Sequence, residues 1–81
     1  MNMTSPYILT AQQCRMARAG LEWGVRDLSE RSGVGITTIT RFEKGHSTPI
    51  RGNLKMLRLC FEAAGVEFLN ADGLRMKGVE K

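Results

Sequence analysis

The residues best suited to a chemical role lie in the segment from Ile36 to Lys44. Ile39 and Phe42 are spaced as one buried face of a helix requires. The remaining face is polar, has no acidic residue before Glu43, and consists of Thr37, Thr38, Thr40 and Arg41. Threonine and arginine side chains can hydrogen-bond base edges or phosphates, and a threonine methyl can contact a thymine methyl. This face therefore favours contact with nucleic acid. The alternative is a solvated surface helix, which would more often carry Glu and Lys at (i, i+4).

A second amphipathic segment, Val25 to Ser32, precedes this one and is expected to bury Leu28 and its first valine. The turn Gly33-Val34-Gly35 joins the two segments. Gly33 suits the left-handed conformation that ends a helix, and Val34 is expected to point inward. Two helices joined by a short glycine turn form the helix-turn-helix layout, whose second helix enters the DNA major groove.

The part of the chain before this pair predicts an arm and one helix. Residues 1 to 9 form the predicted arm, and Thr10 is the predicted N-cap of a helix over residues 11 to 19. Gln13 would complete a capping box with Thr10, and Gly20 would stop the helix. Its buried face is predicted from the helical spacing to consist of Cys14, Ala17 and Leu21.

The part after the pair predicts a fourth helix over residues 50 to 64, with Thr48 as N-cap and Pro49 at the first helical position. An apolar stripe runs through Ile50, Leu54, Leu57, Phe61 and Ala64. Further apolar residues predict that the helix is buried on more than one side, and these are Met56, Leu59 and Ala63.

Gly65 ends that helix, and the hydrophobic period then changes from helical to alternating. The runs at residues 66 to 69 and 74 to 77 are separated by Asn70-Ala71-Asp72-Gly73, which is typical turn chemistry. The sequence therefore predicts a small C-terminal hairpin. Because a lone hairpin is marginally stable in water, it should pack on the helices or pair with the edge of another subunit. Its residues Leu69 to Met76 are our predicted contact between two subunits.

Length and composition limit the classes of protein that remain. With 81 residues and 42% hydrophobic residues, the chain can build one modest core. The net charge is +4, and all of the excess lies before Gly65, where nine Lys/Arg face five Asp/Glu; from Gly65 onward there are three of each. A basic balance confined to one region favours a polyanionic partner. No secretion signal or membrane span is present, so we expect a cytoplasmic protein.

The sequence predicts neither an enzyme nor a metal or cofactor site. It contains one histidine, no Ser/His/Asp or Cys/His spacing and no phosphate-binding loop. Cys14 and Cys60 lie in helical patterns far apart in the chain, so reduced thiols are expected rather than a disulfide.

Taken together, these segments resemble the Cro/C1-type helix-turn-helix family, also called XRE-like. The resemblance covers about residues 10 to 65, leaving residues 66 to 81 as a hairpin and tail outside the common core of the family. It is carried by Arg15 to Arg18, Trp23, the run Val25 to Arg31, Gly33-Val34, the run Ile39 to Glu43, Gly45 and Pro49. It implies a mainly all-α, compact, four- to five-helix lambda-repressor-like DNA-binding domain, here with a short C-terminal β-hairpin.

The resemblance also implies roles for individual residues. Base readout would come from the start of the recognition helix, at Ile36, Thr37, Thr38 and Arg41. Phosphate contacts are expected from Val25, Arg26, Thr40, Lys44, His46 and Arg51. Arg18 and Glu43 would form a structural salt bridge and would not read DNA. The chain departs from the common pattern by having Gly24 and Gly35 at the helix caps, Val25 in place of a glutamine, and an apolar residue at Ile36.

Two functions of different classes follow. The first is a sequence-specific, double-stranded-DNA-binding transcriptional regulator that binds as a homodimer through its C-terminal hairpin, with half-sites about 10 bp apart. The second is a protein-interaction module with weak DNA binding, such as an antitoxin that holds a toxin partner. An apolar exposed surface on the isolated protein would favour the second.

Overall fold

The computed structural model describes residues 9–69 and 73–77. The predicted arm up to Ile8, the turn residues 70 to 72 and the last residues, 78 to 81, lie outside the described part of the chain. Within it the fold is mainly helical with one small antiparallel hairpin, as predicted. The elements are α1 (Ala11–Leu21), α2 (Val25–Ser32), α3 (Ile36–Glu43), α4 (Arg51–Ala63), β1 (Val66–Phe68) and β2 (Leu74–Met76).

A single hydrophobic core draws on all four helices and the hairpin. The buried apolar side chains are Leu9, Cys14, Ala17, Leu28, Val34, Ile39, Phe42, Leu57, Phe61 and Val66. Trp23 stacks on Phe61 at the edge of this core, with ring centroids 5.9 Å apart. Burial of these side chains supplies the main driving force for folding. None of the helices in the described residues has the length and apolar character needed to cross a membrane.

Helix α1 continues past its predicted stop at Gly20. It ends at Leu21, and Glu22 takes the left-handed cap conformation, with φ of 60°. The glycine serves tertiary packing instead, since a Cβ at Gly20 would lie 2.7 Å from the Cε atom of Met76. Gly20 therefore lets the hairpin lie against α1, and a non-glycine residue is left to adopt the left-handed conformation.

Gln13 is buried, although it was not part of the predicted buried face of α1. It forms the predicted capping box with Thr10: the Gln13 N–H donates to Thr10 Oγ1 (3.0 Å) and the Thr10 N–H donates to Gln13 Oε1 (3.1 Å). Its Nε2 atom also donates to the carbonyl oxygens of Leu69 (3.3 Å) and Gly73 (3.0 Å). One side chain thus caps α1 and ties it to the hairpin.

Helix α4 begins later than predicted. Ile50 is its N-cap in an extended conformation, with ψ of 158°, and Arg51 is the first helical residue. Pro49 is buried and lies in the preceding loop, so the assignment of Thr48 as N-cap and Pro49 as first helical residue is wrong. The extended backbone of Ile50 excludes a helix that starts at Pro49.

The prediction that α4 is buried on more than one side is also wrong. Leu57 and Phe61 are fully buried, but Met56 is 48% exposed, Leu59 is 42% exposed, and Ala63 is exposed. Ile50, predicted as part of the buried stripe, is 73% exposed. Helices α1 and α2 and strand β1 contact α4, and within the described residues these contacts leave Met56, Leu59 and Ala63 exposed.

The hairpin packs on the helices of its own chain. Val66 pairs with Met76 and Phe68 with Leu74 in an antiparallel register. Val66 is buried, and Phe68, Leu74 and Met76 pack against the core. Among the described residues of the predicted subunit contact, the exposed large apolar side chain is that of Leu69.

Candidate nucleic-acid interface

A short turn fixes α3 against α2. Gly33 has φ of 80°, and its N–H donates to the Ser29 carbonyl oxygen at 2.9 Å, which ends α2. Val34 is buried, and its N–H donates to Ser32 Oγ at 3.1 Å. Gly35 returns to an extended conformation and precedes the first turn of α3. The left-handed glycine and the buried valine were both predicted, and they position α3 relative to the scaffold helix.

The inward face of α3 consists of Ile39, Phe42 and Glu43. The two apolar residues are those that the sequence predicted. Glu43 is a charged residue with only 6% of its surface exposed, and a buried charge requires compensation from its surroundings.

Arg18 of α1 provides that compensation in a two-point ion pair. Its Nη2 atom lies 2.8 Å from Glu43 Oε1, and its Nε atom donates to Glu43 Oε2 at 3.0 Å. Its Nη1 atom donates to the Trp23 carbonyl oxygen at 3.0 Å. The hydrogen bond to Glu43 raises the pKa of the Arg18 guanidinium, so the arginine stays charged. The side chain therefore joins α1 to α3 and also holds the loop that leads into α2.

Two more groups of α1 complete the surroundings of Glu43. The Cys14 thiol donates to Glu43 Oε2 at 3.2 Å, and the Arg15 guanidinium donates to the Glu43 carbonyl oxygen. Burial and the Glu43 carboxylate raise the pKa of the Cys14 thiol, which keeps the proton that this hydrogen bond needs. The sequence predicted no role for Cys14 beyond packing and none for Arg15 as an individual residue. Their helical proximity to Arg18 was the available signal.

The outward face of α3 is exposed and carries positive charge. Thr37, Arg41 and Lys44 are exposed and recur at (i, i+4, i+7), so they share one face. Ile36 is 40% exposed at one edge of that face. Because Glu43 is turned inward, helix α3 presents no acidic side chain outward.

The remaining predicted base-reading residue and the threonine predicted for phosphate contact are less accessible. Thr38 and Thr40 are both half-buried. Thr40 lies between Ile36 and Lys44 on the helical wheel, whereas Thr38 lies about 200° from Ile36, at the opposite edge. The structure therefore brings Thr37, Thr40 and Arg41 together and leaves Thr38 at the margin of the face.

The N-termini of α2 and α3 differ in their capping. The Asp27 carboxylate accepts a hydrogen bond from the Gly24 N–H at 2.8 Å, which places an acidic side chain at the start of α2. Helix α3 has no side-chain cap at Gly35 and no acidic residue in its first turn. The first N–H groups of a helix carry partial positive charge and suit an anion. The uncapped start of α3 adds to the positive character of its outward face.

The residues predicted to contact phosphate divide into two groups. Arg26, Lys44, His46 and Arg51 are exposed. Val25 is half-buried and packs against the core, so its side chain contributes to folding.

Outside this surface, a groove of about 340 Å³ is lined by Trp23, Arg31, Cys60, Ala63 and Ala64. Within the described residues, no group of three His, Cys, Asp or Glu side chains could hold a metal ion.

No protein-family model and no curated protein matches this chain. The resemblance to the Cro/C1-type family therefore depends on the residues quoted above for it. The geometry of α2 and α3 and the charge of the outward face of α3 determine what this surface can bind.

Proposed function

We propose that this protein is a sequence-specific, double-stranded-DNA-binding transcriptional regulator of the lambda-repressor-like, Cro/C1-type kind. Helix α3 would enter the major groove. The observation that carries this proposal is the outward face of α3, where Thr37, Arg41 and Lys44 lie together while the helix's one glutamate is buried. Such a face attracts a polyanion and also offers hydrogen-bonding side chains for base edges.

The roles divide along α3. Thr37 and Arg41 would read bases, with Ile36 against a thymine methyl and Thr38 at the edge of the contact. Lys44, Thr40, His46 and Arg51 would bind phosphates, together with Arg26 and the backbone at Val25 in α2. Base contacts would give specificity, whereas phosphate contacts would give most of the salt-dependent affinity.

The regulator would act in the cytoplasm as a homodimer. Two copies would contact half-sites about 10 bp apart on a near-palindrome. The sequence predicted the dimer contact at the hairpin, but Leu74 and Met76 pack against the core of their own chain. In the described part of the hairpin, Leu69 is the exposed apolar side chain that remains for a contact with a second subunit.

The second candidate function is a protein-interaction module, such as an antitoxin with weak DNA binding. The exposed apolar residues Ile50, Met56 and Leu59 at and within α4 favour it, since they offer a surface for another protein. In that case a toxin partner would cover α4, and DNA binding would depend on the complex.

Selection from a random duplex DNA library, repeated at low and physiological salt, tests the proposal. We expect an enriched near-palindrome with half-sites one helical turn apart. Arg41→Ala should remove the preference at defined bases. Arg75→Ala is the matched control, because it removes the same charge from an exposed arginine on the hairpin.

Three results would count against the regulator. Binding without enrichment that disappears with salt would leave only the electrostatic contribution and favour the interaction module. No binding at either salt concentration would mean that the helix pair serves another purpose. Equal loss of binding in Arg41→Ala and Arg75→Ala would show that net charge, and not the face of α3, governs affinity.

A further inference from the structure

Helix α4 has an outward stripe that the rest of the described chain leaves exposed. Gly52, Met56, Leu59 and Ala63 are all exposed and follow one another at spacings of four, three and four residues. Those spacings keep the four positions on one side of a helix. Most of the large exposed hydrophobic residues of the described chain lie in or next to α4, namely Ile50, Met56 and Leu59, against Ile36 and Leu69 elsewhere.

The order of side-chain sizes along this stripe is symmetric. Small residues, Gly52 and Ala63, stand at its ends, and large ones, Met56 and Leu59, stand at its centre. A two-fold axis between Met56 and Leu59 would place each large residue opposite the other large one of a second copy. It would also place Gly52 opposite Ala63. A stripe with this symmetry is complementary to itself when two helices run antiparallel, as an isologous interface requires.

No contact among residues 9–69 and 73–77 accounts for the glycine in this stripe. A Cβ at Gly52 would meet no atom within 4 Å, so the fold does not need a glycine there. Glycine in a helix is less favourable than alanine. A close approach by a second helix would explain a glycine at this position, because a missing side chain lets two backbones come near each other.

The charges beside the stripe have the same symmetry. Arg51, Lys55 and Glu62 all lie along one side of it, with the two cations toward the start of the helix and the anion toward its end. Antiparallel pairing about the same axis brings Glu62 of one copy between positions 51 and 55 of the other. Glu62 already accepts a hydrogen bond from Arg58 Nε at 3.0 Å, and a carboxylate has room for further donors.

We propose that two copies of this chain associate through α4, with the stripes of Gly52, Met56, Leu59 and Ala63 packed antiparallel about a two-fold axis. This names the subunit contact of the proposed regulator and moves it from the hairpin to α4. One helix pair is at the small end of stable interfaces, so the free protein should be a weak dimer, with a dissociation constant of roughly micromolar order. Association is measured without DNA, so its failure is distinct from a failure of DNA binding.

The first test measures mass by sedimentation equilibrium over a wide concentration range. The variant Met56→Gln/Leu59→Gln keeps helix-forming residues but removes the apolar centre, and we expect its association to weaken by about tenfold or more. Ile50→Gln is the matched control, because it removes an equally apolar and more exposed side chain outside the stripe. Leu69→Gln tests the hairpin as the contact. Circular dichroism verifies that each variant is folded.

The second test asks whether a larger side chain at residue 52 weakens or strengthens association. Since the monomer has open space there, Gly52→Leu should leave the thermal unfolding temperature of dilute protein unchanged or raise it. It should nevertheless weaken association, because the side chain separates the two helices. If the stripes do not pack together, the added apolar surface should strengthen association instead.

The third test exchanges charges. Glu62→Lys should weaken association, and adding Lys55→Glu to it should restore much of the loss by reversing both members of that contact. Arg51 is left unchanged in this test because it is a proposed phosphate contact. The proposal is overturned if the wild-type protein is monomeric throughout the concentration range. It is also overturned if Leu69→Gln, and not Met56→Gln/Leu59→Gln, abolishes association.

Discussion

Helices α3 and α4 each bury one face and leave the other exposed, but their exposed faces are opposite in character. That of α3 carries Thr37, Arg41 and Lys44, whereas that of α4 carries Met56 and Leu59. Each helix also contributes a glutamate to an arginine–glutamate pair. The glutamate of α3 is buried against α1, and that of α4 remains 39% exposed at its own surface.

The location of the glutamate determines what each surface can bind. Because Glu43 points into the core, the charged side chains on the outward face of α3 are all cationic, and this face suits a polyanion. Because Glu62 lies on the same flank of α4 as Arg51 and Lys55, that flank carries both signs of charge and suits a copy of itself. The buried ion pair thus removes an acid from the surface that we propose meets DNA.

The largest expected effect comes from breaking the buried pair. Arg18→Ala leaves Glu43 buried without its main partner, so the free energy of unfolding should fall by about 3 kcal/mol. Urea titration at neutral pH measures this loss. The value is at the low end for a buried pair because 23% of the Arg18 side chain is exposed.

The matched control replaces both members of that pair. Arg18→Met/Glu43→Met removes the charges together and fills similar volume, so it should be more stable than Arg18→Ala. If the free energy of unfolding falls in the double variant by as much as in Arg18→Ala or more, the pair stabilises the fold by more than mutual compensation of charge. In that case the role of Glu43 would not be limited to the surface of α3, and the two glutamates would not differ as described.

The next effect concerns the exposed face of α3. Arg41→Ala should weaken binding to the selected DNA site by about 1–3 kcal/mol and relax the preference at the bases it reads. Lys44→Ala should weaken binding to all sequences similarly and reduce the slope of log K against log salt by about 1. Fluorescence anisotropy at several salt concentrations separates the two. Identical behaviour of the two variants would mean that α3 grips the DNA backbone without reading bases.

A smaller effect tests the turn that directs α3. Gly33 and Glu22 both have positive φ, at 80° and 60°. Gly33→Ala should destabilise the protein by about 1 kcal/mol, and Glu22→Gly should stabilise it by a similar amount, since only glycine adopts this conformation without strain. Thermal unfolding reports both changes. Only Gly33→Ala should also weaken DNA binding, because Glu22 ends a different helix.

Local signals account for the parts of the fold that the sequence predicted well. The bounds of α2, the left-handed Gly33 and the burial of Val34, Ile39 and Phe42 follow from glycine chemistry and helical spacing. Tertiary packing accounts for the errors. Gly20 lies inside α1 because Met76 packs on it, and Gln13 is buried because it also bonds the hairpin. Neither partner is near in sequence.

The candidate site shows the same division. Helical spacing placed Thr37 and Arg41 on one polar face, and that face is exposed. The Arg18–Glu43 pair joins residues from different helices, so spacing could not give it; the family resemblance did. Met56, Leu59 and Ala63 of α4 were correctly identified as apolar, but they were predicted to be buried and are exposed. Periodicity identifies a face without identifying what covers it.

The smallest expected effect returns to the second glutamate. The Arg58–Glu62 pair lies 3.0 Å apart within one helix, and its carboxylate is 39% exposed, so solvent screens it. Glu62→Gln should therefore change the free energy of unfolding of dilute, monomeric protein by no more than about 0.5 kcal/mol. Urea titration well below the association range measures this. A loss near that of Arg18→Ala would mean that Glu62 stabilises the fold of its own chain. The contrast between Glu43, which leaves the outward face of α3 free of acid, and Glu62, which we propose contacts a second copy, would then fail.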